Sequence, residues 1–350
     1  MVDQELSLFH DTAPILLITE LETPLPGSES LWLAKDANEW LAAFEQANNS
    51  TEYLLLHSLS GPPPTPSLCD LFQDMLHDKI DRRHNQLSPQ QLKLLLHPLQ
   101  SLLCHLRQVL SCFSDLLESR RGTRIVTKIS TLLRLEEVQT LLQKWYELCG
   151  IHAKADPACL ITRSNLVLYH LISLNAVTSF PEIERLARKE MYNSSAREFS
   201  LRHKRCIYQA EESLFHCGQV IRLVCSMPKE GRPLWWPAAI YRASMIIWVE
   251  SMSRKNRSEV KIENGQLFPI DAAILDEPVV REYLWNGDGT PVLTGSNGHI
   301  MLHKPGEVLD HCIGLLDQGV AIRVSDGIKR KLQTLSERWR TEMMLDHTEA

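Results

Sequence analysis

No two cysteines in this chain stand close enough to open a zinc finger. Nine of them, at 69, 104, 112, 149, 159, 206, 217, 225 and 312, are scattered over 350 residues, and the nearest pairs, Cys104/Cys112 and Cys217/Cys225, lie eight positions apart. A finger draws two thiolates from one tight turn onto a single tetrahedral ion, which requires much shorter spacing. Neither a Cys2His2 finger nor a six-cysteine binuclear cluster is encoded in these residues. An odd number of cysteines set among apolar neighbours also excludes a short disulfide-bonded framework and reads as free thiols in a reducing compartment.

Other absences narrow the function further. There is no Gly-x-Ser-x-Gly nucleophile elbow and no Walker-type phosphate loop. Gly287-x-Gly289 lacks the third glycine and the following helix of a dinucleotide site. Basic residues are not in excess: 37 Lys and Arg face 43 Asp and Glu, a formal charge of −6, which argues against DNA contact through this chain's own surface. The start is acidic and polar, without the basic and apolar regions of a signal peptide. The most apolar helical stretch, Ala238 to Val249, is too short to span a bilayer and contains Arg242. The expectation is an intracellular, soluble chain.

What is present is helical pattern. The chain is 44% hydrophobic and 23% charged, enough for substantial cores. Asp36 caps a helix through Trp40, Leu41 and Phe44. Gly61-Pro62-Pro63-Pro64-Thr65-Pro66 is the clearest breaker. Apolar residues at three-four spacing then predict helices over Ser67–Arg82, Leu92–Leu117 after a Ser88-Pro89 start, Glu136–Cys149 with Gly150 as C-cap, and Leu160–Val177. Further helices follow from Pro181, over Ser194–Met227, over Pro237–Met252, after Lys304-Pro305, and from about Asp326 to Leu345. Ile15–Ile18 reads as an extended segment packed on a core. Arg120–Arg124 reads as a connection. Between Asn264 and Ser296 the chain is rich in Gly, Pro, Asp and Asn, with room for a hairpin or two. The predicted fold is all-α, an array of roughly ten helices with this irregular segment near the C-terminus. It divides into residues 1–60, a helical hairpin region over 67–120 and a helical region over 130–345.

Few side chains suggest chemistry. His299, His303 and Glu307 have metal-ligand spacing for a helix, but Pro305-Gly306 breaks the helix that spacing needs, so a solvated loop is expected. His10-Asp11 lacks a nucleophile, and Asp11 is expected to cap the turn before Pro14. The basic clusters Arg202–Arg205, Arg254–Arg257 and Lys329–Lys331 read as solvated faces or helix-end charge, with nuclear import the functional alternative for Arg254–Arg257. Trp235-Trp236 is expected to anchor a loop in the core. No catalytic, cofactor-binding or metal-binding residue emerges.

The opening segment, Asp3-Gln4-Glu5-Leu6-Ser7-Leu8 and the loop to Pro14, resembles the end of a long helix in the fungal-specific transcription factor domain, the middle homology region of fungal regulators. On this reading Asp3 and Glu5 pair with a helix that precedes them. Leu31-Trp32-Leu33-Ala34 with Glu39-Trp40 is similar to the segment that follows in that family. Leu214–Arg222, Arg232–Ala243, Trp285–Gly295 and Ser325–Leu332 with Trp339 resemble the C-terminal part of regulators carrying Cys2His2 fingers. The resemblance implies the regulatory body of a fungal transcription factor, truncated at its N-terminus and without its finger module. It would act in the nucleus on a metabolic or secondary-metabolite gene cluster, through other transcription factors or the transcription machinery and as a possible homo-oligomer. DNA would be reached only indirectly or through a missing finger region. The alternatives are a finger-less co-regulator acting only through a partner, and a helical enzyme with a buried His/Cys/Asp site.

Overall fold

The computed structural model describes residues 2–26, 29–48, 66–80, 87–114, 125–189, 196–258, 266–296, 298–320 and 322–346. The Gly61–Thr65 breaker and the Arg120–Arg124 connection lie outside them. Fourteen α-helices occur among the described residues, so the all-α expectation holds with more and shorter helices than the pattern suggested. The first six are α1 (Val2–His10), α2 (Glu29–Leu33), α3 (Ala37–Asn48), α4 (Leu68–Leu76), α5 (Pro89–Ser114) and α6 (Ile125–Ala155). Then come α7 (Leu160–Val177), α8 (Phe180–Lys189), α9 (Ala196–Cys206), α10 (Ala210–Ser226), α11 (Trp236–Ser258), α12 (Pro278–Asn286), α13 (Pro305–Leu316) and α14 (Arg323–Asp346).

Local chemistry sets several starts. Ser67 and Asp70 form a reciprocal capping box at α4, and Ser88 and Gln91 do the same before α5. Asp36 accepts the Glu39 amide at 2.8 Å at the head of α3, as expected. Elsewhere tertiary contacts override the local signal. Gly150 does not end α6, which runs on to Ala155. The stretch Ser194–Met227 is two helices, not one. Its break carries no glycine or proline. Instead Ile207 bridges to Thr178, and the Tyr208 amide donates to the Val177 carbonyl at 2.9 Å, so this backbone finds partners outside any helix.

Helix α7 lies in the middle, packed on α5, α6 and α10. Helix α11 plays the same part on the other side, touching α8, α9, α10, α13 and α14. The buried apolar side chains form one connected cluster from Leu8 to Trp339. Two glycines mark the tightest approaches. A Cβ on Gly218 would sit 2.2 Å from the Ile270 carbonyl oxygen, and one on Gly319 would sit 2.1 Å from the Trp236 ring.

The Gly/Pro-rich segment holds a small sheet. β1 (Leu267–Pro269) pairs in parallel with β2 (Thr290–Gly295), which pairs in antiparallel with β3 (Gly298–Met301), placing Val292 opposite Met301. Helix α12 makes the crossover. Gln219 of α10 donates to the Ala273 carbonyl at 2.7 Å, tying the sheet's flank to the helical body.

The opening helix is packed differently from its expected role. Helix α1 buries Gln4, Ser7 and Leu8, while Leu6 is exposed. Its partner is α5, which comes after it in the chain. Lys93 donates to Glu5 at 2.8 Å, His97 reaches Asp3 at 3.2 Å, and Gln100 donates to Ser7 Oγ at 2.7 Å. Asp3 also accepts the amides of Ile15 and Leu16, both at 3.1 Å. Burial opposes ionisation of Asp3, yet these donors and His97 together hold its carboxyl below the usual range. The acidic side chains thus pair with later residues. Ile15, Leu16 and Leu17 are exposed, against the expected core-packed strand.

Candidate functional site: a basic cleft between three helices

Helix α8 is strongly two-faced. Ile183, Leu186 and Ala187 point inward, and Glu184 and Arg188, one turn apart, stand at its edge. Helix α11 presents Tyr241 and Met245 at the same spacing. Helix α14 supplies Arg330, Thr334 and Arg338 along one face, with Lys331 and the buried Leu335 beside them. Where the three helices meet they leave a cleft of about 580 Å³. Ala187, Met245 and Leu335 give it an apolar part, and the cations Arg188, Arg330, Lys331 and Arg338 line it together with Glu184, Tyr241 and Thr334.

Glu184 is the cleft's one carboxylate, and it is occupied. Tyr241 donates to it at 2.8 Å, and Arg188 approaches at 3.1 Å. Burial and this neighbouring carboxylate both push the Tyr241 hydroxyl's pKa up, so it remains a neutral donor. Lys331 sits 5.6 Å over the Tyr241 ring. Arg330, Lys331 and Arg338 have no carboxylate partner among the described residues, in a chain whose total charge is negative. The cleft therefore offers uncompensated positive charge and an apolar part. Positive charge beside apolar side chains favours the approach of an anionic, partly apolar surface.

Buried polar contacts fix the helices that form the cleft. Arg242 is only 2% exposed, yet it donates to Asn175 Oδ1 at 2.8 Å, forms an ion pair with Asp11 and lies 4.5 Å over the Phe180 ring. Burial raises the Asp11 pKa more than Arg242 lowers it. Further along α11, Glu250 accepts from His203 at 2.7 Å and from Arg254 at 3.1 Å, and Arg254 also donates to the Tyr283 hydroxyl at 3.0 Å. Between α7 and α10, His170 and His216 bring their Nδ1 atoms to 2.8 Å, so one ring must donate and the other accept. Burial holds both imidazoles neutral, pulling His216 down to about 4 and His170 well below its ordinary value.

The side chains singled out in the sequence are dispersed. His299 lies in β3, His303 in the turn after it and Glu307 in α13. Among the described residues no group of three or more His, Cys, Asp or Glu could hold a metal ion. Asp11 adopts a left-handed backbone at φ 55° and serves Arg242 rather than the turn before Pro14. The nine cysteines are free thiols: Cys149, Cys206, Cys217 and Cys312 are buried, and burial pushes Cys149, Cys206 and Cys312 up to about 12. Trp236 is buried against Gly319, and Trp235 packs on Phe9 with ring centroids 5.7 Å apart, as expected of core anchors. Within the basic clusters, His203 and Arg254 are held by Glu250 and Lys329 by Asp317. Only Arg330 and Lys331 join a site, and their companions Arg188 and Arg338 gave no signal, since nothing local shows that α8 and α14 converge. No helix among the described residues is long and apolar enough to cross a membrane.

Comparison with known proteins supplies what the cleft alone does not. The chain is 42% identical, over 96% of its length, to a transcription factor of Zymoseptoria tritici, and 43% identical, again over 96%, to one of Elsinoe fawcettii. A transcription factor of Pestalotiopsis fici is 40% identical over 97%. This chain is similar to fungal transcription factors over nearly its whole length. It covers 36%, 34% and 35% of those three proteins, so it spans about a third of the length of the relatives it matches. No protein-family model and no solved structure matches it.

Proposed function

We infer that these residues form the regulatory portion of a fungal transcription regulator, working in the nucleus by contact rather than by catalysis. The observation that carries this reading is the similarity across almost the entire chain to several proteins named as transcription factors. The motifs at Leu214–Arg222, Arg232–Ala243 and Trp285–Gly295 support the finer assignment to the fungal-specific regulator family, and with it control of a metabolic or secondary-metabolite gene cluster. Reading DNA falls to a finger module outside these residues or to a partner, because the stretch has no finger spacing and a net charge of −6. Its contacts are then with other transcription factors or the transcription machinery.

Tethering the full chain to an unrelated DNA-binding domain tests this directly. A reporter downstream of that domain's site should change expression, up or down, when the chain is attached. An unchanged reporter, with the fusion present in the nucleus, would sink the proposal. In a gel-shift assay the isolated chain should give no sequence-selective band.

A further inference from the structure

Helix α3 is sparsely packed among the described residues. Of its residues 37–45, only Ala43 and Phe44 are even half-buried, and α2 is the element it packs against. Yet it is not a polar helix. Trp40 and Leu41 are exposed, Trp40 stacks on Phe44 at 5.2 Å, and Trp32 of α2 is 78% exposed beside them. A twelve-residue helix is marginal by itself in water, and its stability in proteins comes from burying an apolar face. The charge around that face is acidic: Asp36, Glu39 and Glu45 against Lys35.

The cleft between α8, α11 and α14 has the complementary features. It has an apolar part and is lined by three cations without carboxylate partners. Glu39 and Glu45 lie about 120° apart round the helix and flank the Trp40–Leu41–Phe44 face from its two sides. Among the described residues α3 has no substantial packing against α8, α11 or α14 of its own chain.

We propose that α3 of one copy docks in the α8–α11–α14 cleft of a second copy, with Trp40 and Leu41 on Met245 and Leu335 and with Glu39 and Glu45 towards the cations of its two sides. An amphipathic helix in an apolar groove is a common recognition mode. The contact is heterologous, and two of them made reciprocally close a two-fold pair.

Two variants of the full chain test it, each confined to exposed side chains. Arg330→Glu/Arg338→Glu removes the cleft's charge and leaves α3 intact. Trp40→Ser/Leu41→Ser removes the helix's apolar face and leaves the cleft intact. In sedimentation velocity the unaltered chain should self-associate, and raising salt from about 50 mM to about 500 mM should weaken association about tenfold or more. Each variant alone should be monomeric, with the melting curve of the unaltered chain in dilute solution. An equimolar mixture should form a heterodimer, because one chain retains the helix and the other the cleft. Three results would overturn the proposal: a chain that is monomeric at every salt concentration, self-association that survives either variant, or a mixture that stays monomeric.

Discussion

Helices α1 and α3 are both short, both near the N-terminus and both mildly amphipathic, yet the chain treats them in opposite ways. Helix α1 turns a largely polar face inward and is held by α5 and α11 through Lys93, His97, Gln100 and Arg242. Helix α3 carries the larger aromatic side chains and leaves them in water. Their overall hydrophobicity is nearly the same, so hydrophobicity alone does not separate them. What separates them is that a later segment supplies partners for much of the polar face of α1, Lys93 for Glu5, His97 for Asp3 and Gln100 for Ser7, although the Gln4 side-chain amide, His97 Nδ1 and Gln100 Oε1 find none among the described residues.

The severest way to break the contrast is to strip α1 of its ion pair. Arg242→Met keeps the volume over Phe180 but leaves Asp11 unpaired, and should cost about 3–5 kcal/mol at neutral pH. Because burial already raises the Asp11 pKa, the unpaired carboxyl can protonate, so the loss should shrink as pH falls below neutrality. A urea melt that moves by less than about 1 kcal/mol would mean that the Asp11–Arg242 contact adds little to α1 docking.

A second test separates the α1 seam from the core. His170 and His216 have folded pKa values depressed below the unfolded value, so the unfolded chain binds more protons and stability should fall as pH drops from about 6.5 toward about 4. The two seam carboxyls act in opposite senses. Asp3, lowered, contributes stability that is lost as pH falls through its folded pKa, whereas Asp11, raised, favours the folded state at low pH and loses that contribution as pH rises. Asp3 titrates below that window and Asp11 acts in the opposite sense, so the loss between about pH 6.5 and about 4 belongs to the depressed histidines, His311 among them. His216→Asn should flatten the melting-temperature profile in that window. A profile as steep as that of the unaltered chain would assign the acid response elsewhere.

Gln100→Ala is milder. It removes a donor to Ser7 Oγ and to the Gln4 carbonyl, both buried, and should cost about 1–2 kcal/mol. Hydrogen exchange should show the α1 amides losing protection while those of α7 keep theirs.

The sequence foreshadowed these regions unequally. Helices with caps or continuous apolar faces were legible: Asp36 before α3, Ser67 before α4, Ser88 before α5, and Leu160–Val177 residue for residue. What could not be read depended on distant partners. Nothing near Tyr208 announces that its amide leaves the helix for Val177, and Gly150 looks like a C-cap until α6 is seen to continue. Asp3 and Glu5 appeared to seek a preceding helix because their actual partners, His97 and Lys93, lie about a hundred positions on. The cleft was half visible: Lys329–Lys331 stood out as a cluster, but its place in the cleft required Arg188 from α8 and the apolar Met245 from α11.

The smallest expected effect is the most discriminating. Trp40→Ser deletes one of the chain's largest apolar side chains, a change that in a packed core costs several kcal/mol. In α3 that side chain is 45% exposed and, among the described residues, stacks on the Phe44 ring. Stability of the dilute chain should therefore move by less than about 0.5 kcal/mol. At concentrations where copies associate, the same substitution should lower the midpoint, because binding to the folded state adds stability by mass action and the variant forfeits it. A loss of several kcal/mol in dilute solution would show that Trp40 packs inside its own chain, and the contrast between a docked α1 and an unoccupied α3 would collapse.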